Sequence, residues 1–82
     1  MTTKAAKFAP ITGEAALFMR NRRQLNQTEF WRRVGVSQSG GSRYESGRAI
    51  PRSVQMLLRI AYGTKAQSQQ QTAALRGVEI AE

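Results

Sequence analysis

The sequence predicts an all-α domain of four or five short helices, because apolar residues recur at helical spacing between residues that start or stop helices. The chain has 82 residues, 40% of them hydrophobic, which is enough for one domain with a modest core. We divide it into a basic N-terminal arm over residues 1–12, a helical domain over residues 13–63 and a C-terminal tail over residues 64–82.

The first helix is expected over residues 13–23. Thr12 is its predicted N-cap, since a threonine side chain can accept a hydrogen bond from the first turn. The inward-facing candidates are Ala16, Leu17 and Met19. The helix ends in a basic run that contains Arg20, Arg22 and Arg23.

The middle of the chain predicts two further short helices around a tight turn. Asn26 is a good N-cap, and Glu29 can return a bond to the backbone N–H of the cap, so a helix should start at Gln27. The apolar stripe of this helix is Phe30, Trp31 and Val34, with Arg32 and Arg33 left on the solvent side.

Gly35 interrupts the stripe, because a residue without Cβ can take the left-handed conformation that ends a helix. Val36 fills the turn, and Ser37 is the expected cap of a helix that runs to about Glu45. Gly47 then stops that helix. Two short helices joined in this way have the layout of a helix-turn-helix.

A fourth helix is predicted to start near Pro51 and Ser53 and to end at Gly63. Its apolar candidates at helical spacing are Val54, Leu57, Leu58 and Ala61. Residues 64–76 offer only Ala and Leu as apolar side chains, too thin a stripe to hold a helix by itself. Residues 77–80 alternate as in a short strand. We expect the tail to be ordered mainly through dimer contacts, as a helix or a short strand.

The chain is strongly basic, with 13 Lys and Arg against five Asp and Glu, a net charge of +8 and a pI near 11.4. Most of the basic residues are Arg, whose planar guanidinium suits phosphate and guanine. On so small a domain this charge is typical of a protein that binds a polyanion. A merely solvated basic surface is the alternative, and the coincidence of the charge with the helix-turn-helix argues against it.

Several residue types are missing, which excludes whole classes of function. The chain contains no Cys, no His and no Asp. Structural zinc, thiol chemistry, imidazole acid–base catalysis and a Ser/His/Asp triad are therefore excluded, and we expect neither an enzyme nor a bound metal or cofactor. With no disulfide, no apolar leader in the first 20 residues and no run of 18 apolar residues, the sequence predicts a cytoplasmic protein without membrane contact.

Five short segments fall at a spacing shared with one family of regulators: Leu25-Asn26-Gln27, Glu29-Phe30, Val34-Gly35-Val36-Ser37-Gln38-Ser39, Ser42-Arg43-Tyr44-Glu45 and Gly47-Arg48. In them the chain resembles the helix-turn-helix of the lambda-repressor and Cro family, the Xre-type bacterial and phage regulators. The resemblance extends more weakly over residues 14–62. It implies a lambda-repressor-like helical bundle that recognises a double-stranded DNA operator as a homodimer and represses transcription.

In such a motif the second helix presents its N-terminal residues to the major groove of DNA. This geometry and the contact positions of the family place four residues against base edges: Gln38, Ser39, Ser42 and Arg43. A glutamine can bond adenine at N6 and N7, an arginine can bond guanine at O6 and N7, and serine is a permissive partner.

Contacts to the DNA backbone are expected around this helix. The resemblance assigns phosphate binding to Gln27, which should also brace Gln38. The outer contacts are Arg48 and Arg52, with Arg22 and Arg23 as additions. For each outer arginine a merely solvated side chain is the alternative. The arm with Lys4 and Lys7 either reaches the DNA or is a frayed terminus.

Four residues are expected to be structural. In similar proteins an Arg late in the first helix pairs with a Glu at the end of the third, which corresponds here to Arg20 and Glu45. Position 31 is ordinarily small and position 41 ordinarily aliphatic, but this chain has Trp31 and Gly41. We expect the indole to fill the volume left at position 41, with its N–H toward a backbone carbonyl or the rim.

The sequence thus predicts a sequence-specific DNA-binding transcriptional regulator that reads the major groove with residues 38–45 as a homodimer. One alternative is an antitoxin that regulates its own operon and binds a toxin, with the tail as the toxin-binding segment. An RNA-binding protein is a weaker alternative, because the chain offers no exposed aromatic platforms for unpaired bases.

Overall fold

The computed structural model describes residues 8–77, which form five helices that we call α1 to α5 in chain order. The helices are Gly13–Arg23, Gln27–Arg32, Gln38–Glu45, Arg52–Tyr62 and Lys65–Leu75. No strand is present among residues 8–77, so the predicted all-α class is confirmed. Lys4 and Lys7 of the predicted arm, and residues 78–80 of the possible strand, lie outside the described residues.

The predicted N-caps of α1, α2 and α3 and the glycine stops after α2 and α3 are confirmed, whereas the C-cap of α1 is Gln24, which was not predicted. The predicted return bond from Glu29 to the backbone N–H of Asn26 is absent from residues 8–77. The side chains of Thr12, Asn26 and Ser37 cap α1, α2 and α3, each accepting a hydrogen bond from a backbone N–H three residues further on. Gly35 has a φ of 77° and Gly47 a φ of 119°, the left-handed region that ends a helix cheaply only with glycine. These signals fix the length and spacing of the two helices of the helix-turn-helix.

The inward face of α4 differs from the prediction. Leu58 and Tyr62 are buried and Val54 is half-buried, a stripe with four-residue spacing. Leu57, predicted to face the core, is 43% exposed, and Ala61 is exposed as well. The prediction missed Tyr62 because an aromatic residue next to a helix-ending glycine was not counted in the apolar stripe.

The segment after Gly63 forms a full helix, α5, despite its thin apolar stripe. Thr64 and Gln67 form a reciprocal capping box at its start, in which each side chain bonds the backbone N–H of the other residue. In its middle, Gln71 is buried and accepts a hydrogen bond of 3.0 Å from Arg59 of α4. A capping box at its start and a polar bond to α4 therefore hold this helix, although its sequence has almost no apolar periodicity.

The core lies where α2 meets α1 and α4. Its buried members are Ala16, Phe30, Trp31, Val34, Ile50, Leu58 and Tyr62. Phe30 stacks on Tyr62 with ring centroids 4.2 Å apart and meets Trp31 edge-on at 5.2 Å. The hydroxyl of Tyr62 also donates a buried hydrogen bond of 2.7 Å to the carbonyl oxygen of Phe30. The short helix α2 is thus clamped to α4, which gives α3 a rigid support.

Over the described length of the chain, none of the helices combines the length and the apolar character needed to cross a bilayer.

Candidate nucleic-acid interface

One side of α3 is open to solvent and carries the four residues predicted to read bases. They are Gln38, Ser39, Ser42 and Arg43, of which Ser42 is half-buried and the others exposed. At 100° per residue these positions span an arc of about 140° on the helix surface. The structure therefore brings all four residues onto one face of α3, which can be presented to the major groove of DNA.

The opposite side of α3 is fixed to the rest of the fold. Gly41 is buried, and Tyr44 packs on Trp31 with ring centroids 5.4 Å apart. Gly13 of α1 lies against the carbonyl oxygen of Tyr44 so closely that a Cβ at position 13 would overlap it. These contacts set the rotation of α3 about its axis and thus determine which residues point outward.

Trp31 and Gly41 are in direct contact across the α2 and α3 helices. A Cβ built on Gly41 would overlap Cδ1 and Cγ of the indole, which is fully buried. The sizes are exchanged in opposite directions, as expected: α2 carries a large residue where a small one is usual, and α3 carries glycine where an aliphatic residue is usual. The indole N–H, however, points neither to a backbone carbonyl nor to the rim; it donates a 2.8 Å hydrogen bond to Glu45 Oε2.

Glu45 is the centre of a polar cluster beneath the exposed face of α3. Arg20 donates to it twice, from Nε to Oε2 at 2.8 Å and from Nη2 to Oε1 at 3.0 Å. Gln27 Nε2 donates to Oε1 at 3.0 Å, and the Trp31 indole completes the set. The carboxylate, whose side chain is only 8% exposed, therefore accepts four hydrogen bonds from α1 and α2 and ties these two helices to α3.

Burial alone would raise the pKa of the Glu45 carboxyl, because it removes water from the charged form. The hydrogen bonds from Arg20, Trp31 and Gln27 and the positive charge of Arg20 outweigh that effect, and the pKa lies below its ordinary value. Glu45 is therefore held as a carboxylate, which accepts hydrogen bonds only.

The polar cluster extends to the surface through two glutamines. The same Gln27 side chain that donates to Glu45 accepts a hydrogen bond of 2.6 Å from Gln38 Nε2. Because a carboxylate accepts but cannot donate, Gln27 must direct its amide nitrogen inward and its oxygen toward Gln38. This fixes the orientation of both amides, and the sequence-based expectation that Gln27 braces Gln38 has a direct contact in the structure.

The four arginines predicted to contact the DNA backbone have different surroundings. Arg48 follows the helix on a turn whose backbone N–H bonds the carbonyl oxygen of Arg43 at 3.0 Å, and its side chain is exposed. Arg52 begins α4 and is exposed. Arg22 and Arg23 have other neighbours: Arg22 lies over the Phe18 ring, and Arg23 bonds the carbonyl oxygen of Tyr62 at 3.2 Å.

The bond between Trp31 and Glu45 was not predicted from the sequence. The volume exchange at positions 31 and 41 is visible as two departures from a familiar pattern, but the partner of the indole N–H depends on how α1 turns Arg20 and α3 turns Glu45. The only sequence signal for this hydrogen bond is a Trp expected to be buried next to a helix that ends in Glu, because the N–H group of a buried Trp usually finds an acceptor.

Comparison with known proteins agrees with this geometry. The family model for RsaL-like HTH domains matches residues 17–61, which run from α1 almost to the end of α4 and include the whole helix-turn-helix. Neither the curated proteins nor the solved structures gave a match. A match over more than half of the chain, on residues that fold into the motif it describes, shows that this protein belongs to the family of RsaL-like helix-turn-helix domains.

Proposed function

We propose that the protein is a sequence-specific transcriptional repressor of the lambda-repressor-like type, which binds an operator in double-stranded DNA as a homodimer. The observation that carries the proposal is the exposed face of α3, whose first residue has its amide oriented by the buried Glu45 through Gln27. A helix of this kind places its N-terminal residues in the major groove. The net charge of +8 supplies the attraction to the phosphates.

Gln38 is proposed to read adenine. One of its two amide hydrogens is used on Gln27, which leaves the second hydrogen and the carbonyl oxygen free. Adenine N7 accepts and adenine N6 donates, so this remaining pair of groups matches that base edge without any change of rotamer at Gln27. Arg43 is proposed to read guanine, and Ser39 and Ser42 to contact bases of either kind.

Phosphate contacts are assigned to Gln27, Arg48 and Arg52, which lie at the start of α2, between α3 and α4, and at the start of α4. Their exposed or half-buried side chains support this assignment. Contacts of Arg22 and Arg23 with DNA stay predictions from the sequence, since their neighbours in the structure are aromatic rings and a carbonyl group.

A homodimer is proposed because one subunit presents only a short recognition helix, and paired half-sites multiply affinity and specificity. The large apolar side chain of Leu75 on α5 is 53% exposed and supports a contact between copies through this helix. The deciding experiment is selection of bound sequences from a random DNA duplex pool. We expect two symmetric half-sites about 34 Å apart. Enrichment of one asymmetric site would contradict the dimer, and no enrichment would contradict specific binding.

Substitution of the base-reading residues should separate recognition from general affinity. Gln38→Ala and Arg43→Ala should each cost about 1–3 kcal/mol per half-site on the selected site and relax the preference at one base pair per half-site. Arg32→Ala is the matched control, since Arg32 is exposed on α2 and lies outside the α3 face. Electrophoretic mobility shifts on selected and random duplexes measure both effects. Equal losses on the two duplexes would refute a base contact.

Arg52→Ala should weaken binding to all sequences about equally, because a phosphate contact carries no base preference. For each phosphate neutralised, log K falls against log salt concentration with a slope of about −0.9, so this variant should flatten the slope by about 0.9 per subunit, or about two for the dimer. Titrations between low and physiological salt measure it. Binding by the unmodified protein that hardly responds to salt would contradict the proposed phosphate contacts.

A further inference from the structure

A groove of about 500 Å³ lies between α1 and the α4 and α5 helices. Its size is within the range of pockets that hold small molecules, roughly 300–1,000 Å³. Apolar and cationic side chains line it together: Phe8, Phe18, Met19, Arg22, Arg23 and Arg59, with Tyr62 at its floor. We call it the arginine groove.

The arginine groove lies away from the face of α3 that is proposed to read DNA. Gly13 of α1 packs against α3, whereas Phe18 and Arg22 are about 140° and 180° round the helix axis from it at 100° per residue. The groove is therefore on the side of α1 remote from α3. Binding of a ligand here can be measured without DNA, although Arg22 and Arg23 are also predicted outer contacts to the DNA backbone.

The charge in the groove is unbalanced. None of the described residues that line it carries a carboxylate, and the one ion pair within residues 8–77, between Arg20 and Glu45, is elsewhere. Arg59 is only 8% exposed, yet its hydrogen bonds go to neutral oxygens, those of the Gln71 and Gln55 side chains and the Ala9 carbonyl. Burial and the charge of nearby Arg52 lower the pKa of Arg59, which reports the cost of holding this cation without an anion.

The apolar part of the groove is left exposed by residues 8–77. The ring of Phe18 is 63% exposed at one wall, the largest exposed fraction among the bulky hydrophobic residues that the structure describes. The guanidinium of Arg22 lies 5.9 Å from the centre of this ring, and that of Arg59 lies 4.8 Å from the centre of the Phe8 ring. Each of these two phenyl rings in the groove thus has a guanidinium group beside it.

We propose that the arginine groove binds a small amphipathic anion, a molecule with a carboxylate or similar head and an apolar body. The head is held by the guanidinium groups, and the body covers Phe18 and Met19. Charge complementarity selects this class of ligand: a neutral apolar molecule leaves the cations unpaired, and an amphipathic cation is repelled by three arginines. An arginine fork also suits a carboxylate in a bidentate manner.

The test uses three probes of equal chain length at concentrations below micelle formation: decanoate, decanol and decyltrimethylammonium. The full chain is titrated with each probe. Calorimetry should show that one decanoate binds per chain, and NMR should show that the backbone amide signals which shift belong to residues of the arginine groove. Decanoate should bind about tenfold more tightly than decanol, the factor that corresponds to one well-placed charge contact. Equal binding of the three probes, or no saturable binding of decanoate, would overturn the proposal.

Two pairs of variants locate the site. Arg22→Gln should weaken decanoate binding about threefold to fivefold, whereas Arg32→Gln, an exposed arginine outside the groove, should not. Phe18→Asn should weaken it about tenfold, with Leu57→Asn as the matched exposed control on α4. All four positions are at the surface, and circular dichroism checks the fold of each variant. Equal losses in the control variants would overturn the site, as would a dimer of the free protein that buries Phe18 and binds no decanoate.

Discussion

A single methyl group added at Gly41 should destabilise the domain, although alanine is a better helix former than glycine by about 1 kcal/mol. The added Cβ would overlap Cδ1 and Cγ of Trp31, and the fully buried indole has no open space into which it can retreat. Its N–H is also tied to Glu45. We expect Gly41→Ala to lower the free energy of unfolding by about 1–3 kcal/mol and Gly41→Ile by more, through overpacking. Urea unfolding followed by circular dichroism measures both.

Trp31→Ala should cost about 3–5 kcal/mol, because it leaves a cavity in the middle of the core. The double variant Trp31→Ala with Gly41→Ile should recover much of this loss, with a coupling free energy of about 1–3 kcal/mol. Gly40→Ala is the matched control, since a Cβ there meets Val36 and Ser37 and not the indole. Its effect should add to that of Trp31→Ala. Additive effects for the Gly41 pair as well would show that the two positions do not share one packing arrangement.

The sequence predicted this contact better than it predicted the polar cluster below it. The exchange at positions 31 and 41 concerns two residues in one local motif, whose geometry is set by the turn at Gly35. The hydrogen bonds of Glu45 come from α1 and α2, and their formation depends on how three helices are rotated against one another. Local spacing does not carry that information, so the pair with Arg20 came only through resemblance and the indole bond was not predicted.

The C-terminal part of the domain shows the same limit in a different way. Helix α5 has almost no apolar stripe, and its order comes from the Thr64 cap and from the bond between Gln71 and Arg59. Apolar periodicity is the main sequence signal for a helix, and a helix fastened by polar side chains gives none. Leu57 was assigned to the core for the converse reason, since it fits the helical spacing but lies beside the stripe that is buried.

Removal of the Glu45 side chain should be among the most costly single changes in the protein. In Glu45→Ala the guanidinium of Arg20, the amide of Gln27 and the indole N–H of Trp31 all lose their acceptor. Breaking a buried ion pair in this way costs about 3–5 kcal/mol, because the surviving charge stays without a partner. Glu45→Gln should cost less, since its amide oxygen can still accept. Glu29→Gln removes an exposed carboxylate at the start of α2 and should cost less than about 1 kcal/mol.

The stabilisation from the Glu45 carboxylate should also depend on pH with a definite sign. Its pKa in the folded protein lies below the ordinary value of 4.5, because burial, which acts to raise it, is outweighed by the bonds from Arg20, Trp31 and Gln27. A lowered pKa means that the stabilisation is fully present above the ordinary value and is lost as the pH falls through the pKa of the folded state.

The difference in unfolding free energy between the unmodified protein and Glu45→Gln should therefore be constant near neutral pH. Below about pH 4.5 it should shrink, since the carboxyl then takes up a proton first in the unfolded state and, as the pH falls through the lower pKa of the folded state, in the folded protein as well. Urea unfolding at a series of pH values measures this difference, and a gap that stays constant into acid would show that the charge of Glu45 contributes nothing to the stability of the fold.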